Sequence, residues 1–523
     1  MRTQTYCWQL FTQAIYNVFF HPLSKVPGPL LARMSGIPSW YHALKGDRHI
    51  WLWKNFEKYG ERIRVDPRTV VFCDPAAYRD IYNVKANVQR SGFYTAWRRN
   101  ELDAHTLNTI DVAEHAYKRK LLNVSFTEKS TRAASEFIFR HIDRWNELLV
   151  GDSDDWSEPI DFTESVSNLV FDISGDLCFG QSFETKEPGE NPLKDMPHAI
   201  KDYMLFYYPV CRSPLLDLVL WLKPRGLDTL FVKISPPAVT YFNEFVYSSV
   251  SKRIKLQEEL REKPESQQRQ DMFHFLCEAK NPDNGKPAHD ERTLRAEASL
   301  LVIAGSDTSA TSFSGIMFYL SLPSQAHRLA KVVNEVRSTF KSPDDIVYGH
   351  QLSSCVYLRA CVDEAMRLCP SGPSELPRQV RAGGITIKGD FYPEGTIVGT
   401  SGFTNGRNEK VYSNCLEYRP ERWIVDESAG VTQESVDLAK SNFHPFGGGP
   451  GQCVGKNLAV LELLAAVGRT LWRYDMRRAP GSTVGGGSPE RGWGQSNAEE
   501  YQLIDAYIAL HHGPMLQFKK RQV

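Results

Sequence analysis

From about residue 113 to residue 370 the apolar positions repeat with a helical period, whereas short, turn-flanked apolar runs lie at residues 63–72, 385–387 and 396–400. The pattern predicts a mainly α protein with small β-sheets at its edge, an α+β chain in which one helical body carries most of the core. The longest predicted helix runs from Glu291 to Leu322, closed by Pro323, and spans about 45 Å at 1.5 Å per residue. Such a helix crosses the whole domain. Its middle, from Ala304 through Gly305, Ser306, Asp307 and Thr308 to Ser309, sets hydroxyls and poor helix formers where an ordinary core helix carries leucine or alanine. Thr308 can return a hydrogen bond to the carbonyl of Ala304, and Gly305 leaves room for a ligand beside the backbone. The result is a polar notch in an apolar helix.

No internal repeat and no long Pro/Ser/Gly linker divides the chain, so residues 33–523 read as one large domain. The only candidate break, residues 479–494, is followed by about thirty residues and reads as an exposed loop inside that domain. Residues 1–20 are aromatic and partly apolar, but Gln9, Thr12, Gln13 and Asn17 interrupt them. They fall short of the roughly 20 apolar residues a spanning helix needs and read as an interfacial or shortened membrane anchor. Residues 21–32, with Pro22, Pro27 and Pro29, read as a stiff spacer between that anchor and the folded body.

Lysine plus arginine equals aspartate plus glutamate at 62 each, which leaves no global field to favour nucleic acid or an anionic surface. The ten cysteines include no C-x-x-C pair and read as mostly reduced, buried thiols. Cys453 stands apart from them. It lies in the run PFGGGPGQCVG, residues 445–455, just before an apolar stretch. A cysteine held by a tight glycine-rich loop at a helix start gains unpaired N–H groups and the positive end of the helix dipole, which predicts a presented thiolate.

The spacing of Phe446, Gly449, Cys453 and Gly455 resembles the haem-binding signature of the cytochrome P-450 family, in which a cysteine thiolate is the axial iron ligand. Four further segments resemble that family in order. AGSDTS is similar to its oxygen-binding helix, which implies that Asp307 and Thr308 relay protons and that Ala304 borders the pocket. Glu364 and Arg367, three apart on a predicted helix, would alone be an ordinary surface pair. With Arg422 of YRPERW they resemble the family's structural triad. His115 and Arg119 in EHAYKRKLL, together with Arg378 in LPRQV, match its haem-propionate partners. The entry segment YNVFFHPLSKVPGPLLA resembles microsomal members from filamentous fungi. The chain departs at Gly451, where the family usually has arginine, so His115, Arg119 and Arg378 would bear more of the propionate contact.

The resemblance implies a single P-450-type helical domain with its long central helix over haem b, and a haem-thiolate monooxygenase acting on an apolar small molecule in secondary-metabolite biosynthesis. It implies electrons from NADPH through a partner flavoprotein reductase, and residence at the cytosolic face of the endoplasmic reticulum membrane. Lys118, Arg119, Lys120 and Lys456 are the expected reductase-docking patch. Phe93, Tyr94 and Trp97 are the expected pocket aromatics, with a second cluster at Phe206, Tyr207 and Tyr208. The rival readings are a haem-thiolate isomerase or dehydratase, and a haem-binding protein without turnover.

Overall fold

Asp290 starts the long helix, its carboxylate accepting from the backbone N–H of Thr293 at 2.8 Å. A computed structural model describes residues 2–98, 103–151, 155–235, 237–264, 268–281 and 283–522, with side chains from residue 8 onward except at 238 and 239. The helix spans Glu291–Leu320 and stops short of the expected Leu322, because Ser321 takes the C-cap and Leu322 turns extended ahead of Pro323. It packs most extensively on the helix Phe162–Phe179 and also meets the helices Val356–Leu368 and Lys456–Arg473. Phe313, Phe162 and Trp145 interlock where it joins the core, with ring centroids 5.1 to 5.8 Å apart.

The apolar run at 63–72 is a hairpin of Arg62–Asp66 and Thr69–Phe72. Ile397–Thr400 pairs parallel with its second strand, Arg378–Val380 follows antiparallel, and Val88–Arg90 closes the edge of this five-stranded sheet. In that last pair Arg90 stands directly opposite Arg378. The run at 385–387 pairs with Asp390–Tyr392 as a separate ribbon. The C-terminal strands are short and are not anticipated from the sequence. Tyr474–Arg478 and Ile160–Asp161 flank Met515–Lys520, and Ile504–Ala506 turns back onto Ile508–Leu510 through Tyr507 alone, at φ 75°.

One segment differs from expectation, and another, the exposed loop at 479–494, gains an account of its length. The proline-rich stretch at 21–32 is not a free spacer: Leu23 and Val26 are buried, and the buried Arg64 guanidinium donates to the carbonyls of Asn17, Leu23 and Pro67. Gly28 crosses Arg64 so closely that a Cβ would lie 2.3 Å from its carbonyl oxygen. The folded body therefore begins before residue 33. The loop 479–494 folds back on the chain, with Gly487 and Ser488 donating to the carbonyls of Asn497 and Gln495, and Trp493 lies 4.6 Å from Trp53 between ring centroids. That return accounts for its length.

Residues 2–15 are α-helical and 16–20 form a π turn. Among the described residues no helix is long and apolar enough to cross a membrane.

Candidate functional site

The glycine-rich loop closes on itself through the Cys453 N–H, which donates to the Phe446 carbonyl at 2.8 Å. Gly449 adopts φ 58°, and a Cβ there would fall 1.8 Å from the Tyr82 carbonyl oxygen, so only glycine fits. Gly455 caps the helix Lys456–Arg473 and turns its N–H toward the Cys453 sulfur. Cys453 is exposed, whereas the other described cysteines are buried or, for Cys277, half-buried. The expectation of a ready thiolate is corrected in one respect. Although the residue is open on one side, the protein atoms gathered around its sulfur push the thiol pKa up, and the Gly455 N–H and Arg119 pull against this without prevailing. A bound metal cation is what deprotonates a coordinating thiol in such surroundings.

On the long helix, Ala304 is exposed and Gly305 and Thr308 are half-buried, while Ser306, Asp307 and Ser309 are buried. Beyond its exposed first turn, the helix is therefore left uncovered by protein along one strip at Ala304, Gly305 and Thr308. Thr308 donates to the Ala304 carbonyl at 2.7 Å, as its position predicts. Asp307 has one carboxylate oxygen without a partner, and burial, opposed in part by Lys201, pushes its pKa up to about 7. Glu462, from the cysteine-side helix, is also pushed up to about 7 by burial, against the effect of its bond from Ser309 at 2.9 Å.

Four cationic or basic residues converge beside the loop. Arg119 donates to the carbonyl of Gln452 at 2.5 Å and to Asn123. Arg378 donates to the Tyr94 hydroxyl at 2.9 Å. Its cross-strand neighbour Arg90 donates to the Thr106 carbonyl at 3.0 Å and leaves Nε unpartnered. His115 is buried with Nε2 unpartnered. Burial, then Arg90, Arg119, Arg378 and Lys118, lowers its pKa to about 3, so it is a neutral donor. Among the described residues none of these arginines has a carboxylate ion pair. Two buried guanidiniums facing each other across a strand pair are destabilising unless an anion lies between them.

Sequence reasoning missed Arg90. Its strand is three residues long, and nothing local announces that it pairs with residue 378. Gly451 also finds a physical account: a Cβ there would lie 2.7 Å from Arg378 Nη2, so the bare glycine leaves room for that guanidinium.

These residues fit a haem. Unpartnered buried donors and paired arginines suit a dianionic edge, the uncovered strip at Ala304 and Gly305 suits a flat face, and Cys453 offers one sulfur. Among the described residues no group of three or more His, Cys, Asp or Glu could hold a bare metal ion.

The structural triad is buried rather than a surface pair. Glu364 accepts from Arg367 Nε and Nη2, Arg422 Nε, Trp423 Nε1 and the Arg419 N–H, all between 2.8 and 3.0 Å. Burial raises its carboxyl, but Arg367 and Arg422 outweigh that and hold it below the usual range. Arg367 continues to the carbonyls of Gly406, Cys415 and Glu417, the last two at 2.6 and 3.0 Å.

Two expectations shift. Lys118 is turned inward, donating to Ala104 O and Thr109 Oγ1, and with Arg119 engaged on the loop only Lys120 and Lys456 of the expected docking patch are exposed. Phe93, Tyr94 and Trp97 are at most 6 % exposed, packed with Tyr207, Tyr208 and Tyr507. Phe446 is half-buried against the main core.

The family described as cytochrome P-450 matches residues 26–486. Cytochrome P-450 monooxygenase poxM of Penicillium oxalicum is 33% identical over 98% of this chain and 93% of its own. Monooxygenases AKT7 of Alternaria alternata and fscF of Fusarium equiseti are each 31% identical over 97% of this chain and 94% of theirs. With the cysteine loop, the notched helix and the buried triad in place, the chain belongs to the cytochrome P-450 family of haem-thiolate monooxygenases.

Proposed function

We propose that Cys453 holds the haem iron, that Arg90, His115, Arg119 and Arg378 hold its propionates, and that Asp307 and Thr308 control protons during oxidation of an apolar small molecule. The observation that carries this reading is the polar notch, where a buried carboxyl with an unpartnered oxygen adjoins a hydroxyl on the uncovered strip at mid-helix. When bound, the haem supplies activation of dioxygen, one atom entering the substrate and the other leaving as water at the expense of two electrons and two protons. The electrons come from NADPH through a flavoprotein reductase. Thr308 spends its proton on the Ala304 carbonyl, so its lone pairs accept a bond from a water or a protonated group. Asp307 titrates near neutrality and can pass a proton inward. The apolar character of the substrate follows from the resemblance, and kinship with fungal enzymes supports a place in secondary-metabolite biosynthesis. Neither an isomerase nor a carrier without turnover gains support from the named relatives.

The test supplies NADPH and a reductase. Thr308→Ala is expected to keep consuming NADPH while diverting more of it to hydrogen peroxide. In the wild type the proton-donating form of Asp307 is populated below its raised pKa, so consumption falls as pH rises through about 7. Asp307→Asn is expected to be slower and to lose that inflection. Unchanged peroxide yield and an unchanged pH profile would remove the relay, and no NADPH consumption by the wild type would remove the reductase.

Peripheral contact with the cytosolic face of the endoplasmic reticulum membrane belongs to the same reading. Trp8, Leu10, Phe11, Phe19 and Phe20 are exposed, as are Leu30, Leu31 and Ile37. Pro214 lies against Gly36, which brings the exposed Leu215, Leu218 and Trp221 near the same face. The full chain is expected to float with phosphatidylcholine vesicles, and a Trp8→Glu, Phe11→Glu, Phe19→Glu variant to remain unbound. Equal flotation of both would place the contact elsewhere.

A further inference from the structure

Glu297 lies seven residues before Ala304 and eleven before Thr308, which puts all three on one face of the long helix. It is 1 % exposed, an uncommon place for a carboxyl, and it is not needed to build the helix. One of its oxygens accepts both the backbone N–H and the hydroxyl of Thr106, each at 2.7 Å, while the other oxygen has no partner. Thr106 is gripped from the opposite side as well, its carbonyl accepting from Arg90. Lys118 holds the two ends of the same loop through Ala104 O and Thr109 Oγ1. Thus one short segment, residues 103–109, is bound by the arginine cluster on one side and by the long helix on the other. Glu297 supplies a direct side-chain tie between this segment and the long helix.

We propose that Glu297 is a positioning residue that, through Thr106, holds this loop against the cofactor-facing side of the long helix and thereby sets how fast small ligands reach that side. The proposal rests on the haem reading of the site. Bonds to a buried carboxylate are stronger than neutral ones, and burying its unpaired oxygen is tolerable only while Thr106 occupies the first. Closing the loop is then worth most when both Thr106 donors are engaged, and losing them loosens the segment from the long helix, while its ties to Arg90, Arg98 and Lys118 remain, without touching Cys453, Asp307 or Thr308.

The test is flash photolysis of the carbon monoxide complex of reduced holoenzyme, with carbon monoxide itself as the probe. Glu297→Leu and Thr106→Val are expected to speed bimolecular rebinding by up to about tenfold, the change in open fraction that losing such bonds gives. Glu297→Gln keeps an acceptor and Thr106→Ser keeps the hydroxyl, so both are expected to rebind at close to the wild-type rate. Thr106→Val deletes one hydroxyl from a loop with several other ties, and keeps the test open if Glu297→Leu does not fold. Unchanged rebinding in Thr106→Val, or rescue failing in Thr106→Ser, overturns the latch while the long-wavelength Soret band of a thiolate-ligated carbon monoxide complex stands. Absence of that band in the wild type overturns the haem reading instead.

Discussion

Cys453→Ala is expected to abolish the long-wavelength Soret band of the reduced carbon monoxide complex while leaving the fold intact. Cys453 contributes little packing, being exposed at a loop end, and the loop is closed by its backbone N–H rather than by its sulfur. The variant should therefore keep its far-ultraviolet circular dichroism and lose only the thiolate signature. No other described cysteine can substitute: all but the half-buried Cys277 are buried, and burial lifts thiols such as Cys178 and Cys369 to about 12. A full-intensity thiolate band in Cys453→Ala would mean that the iron is held elsewhere and would undo the assignment of the site.

The second large effect is expected from Arg367→Ala. The guanidinium bridges Glu364 to three backbone carbonyls across the segment that leads into Arg422 and Trp423. Removing it leaves a buried carboxylate with half its charge compensation and strands those carbonyls. Breaking a buried pair in this way costs about 3–5 kcal/mol, a large part of the 5–15 kcal/mol that holds typical domains together. The variant should purify with little haem, measured as pyridine haemochrome per polypeptide, and should unfold at lower denaturant. Arg367→Lys is not expected to rescue it, since one ammonium cannot reproduce the forked donation. Full haem content in Arg367→Ala would show that the triad does not support the cofactor loop.

What the sequence revealed follows physical range. The cysteine loop, the notched helix and the Glu364–Arg367 pair are each local, so spacing along the chain carries them. Even the Thr308 bond to Ala304 could be read, because helical geometry sets it four residues away. Cross-chain register could not. Arg90 opposite Arg378, Lys118 turned inward and Arg64 pinning the proline-rich entry all depend on which distant backbone comes near, and no periodicity encodes that. The burial of Glu364 was hidden for the same reason, as an i to i+3 pair looks identical on a surface and in a core. The C-terminal strands escaped because they are three to six residues long: Ile504–Ala506 and Ile508–Leu510 are too short and too buried to alternate, and the alternation in Met515–Lys520 spans too few residues to stand out.

The cross-strand pair of Arg90 and Arg378 has a thermodynamic corollary. Like charges brought together by the sheet oppose the fold that brings them together, and a dianion arriving between them turns that opposition into attraction. Cofactor and fold are then linked equilibria: whatever favours one favours the other, by RT ln(1 + [L]/Kd) for a ligand that binds only the folded chain. The yield of folded protein from a cell should consequently follow its haem supply, making the prosthetic group a folding ligand as much as a reagent.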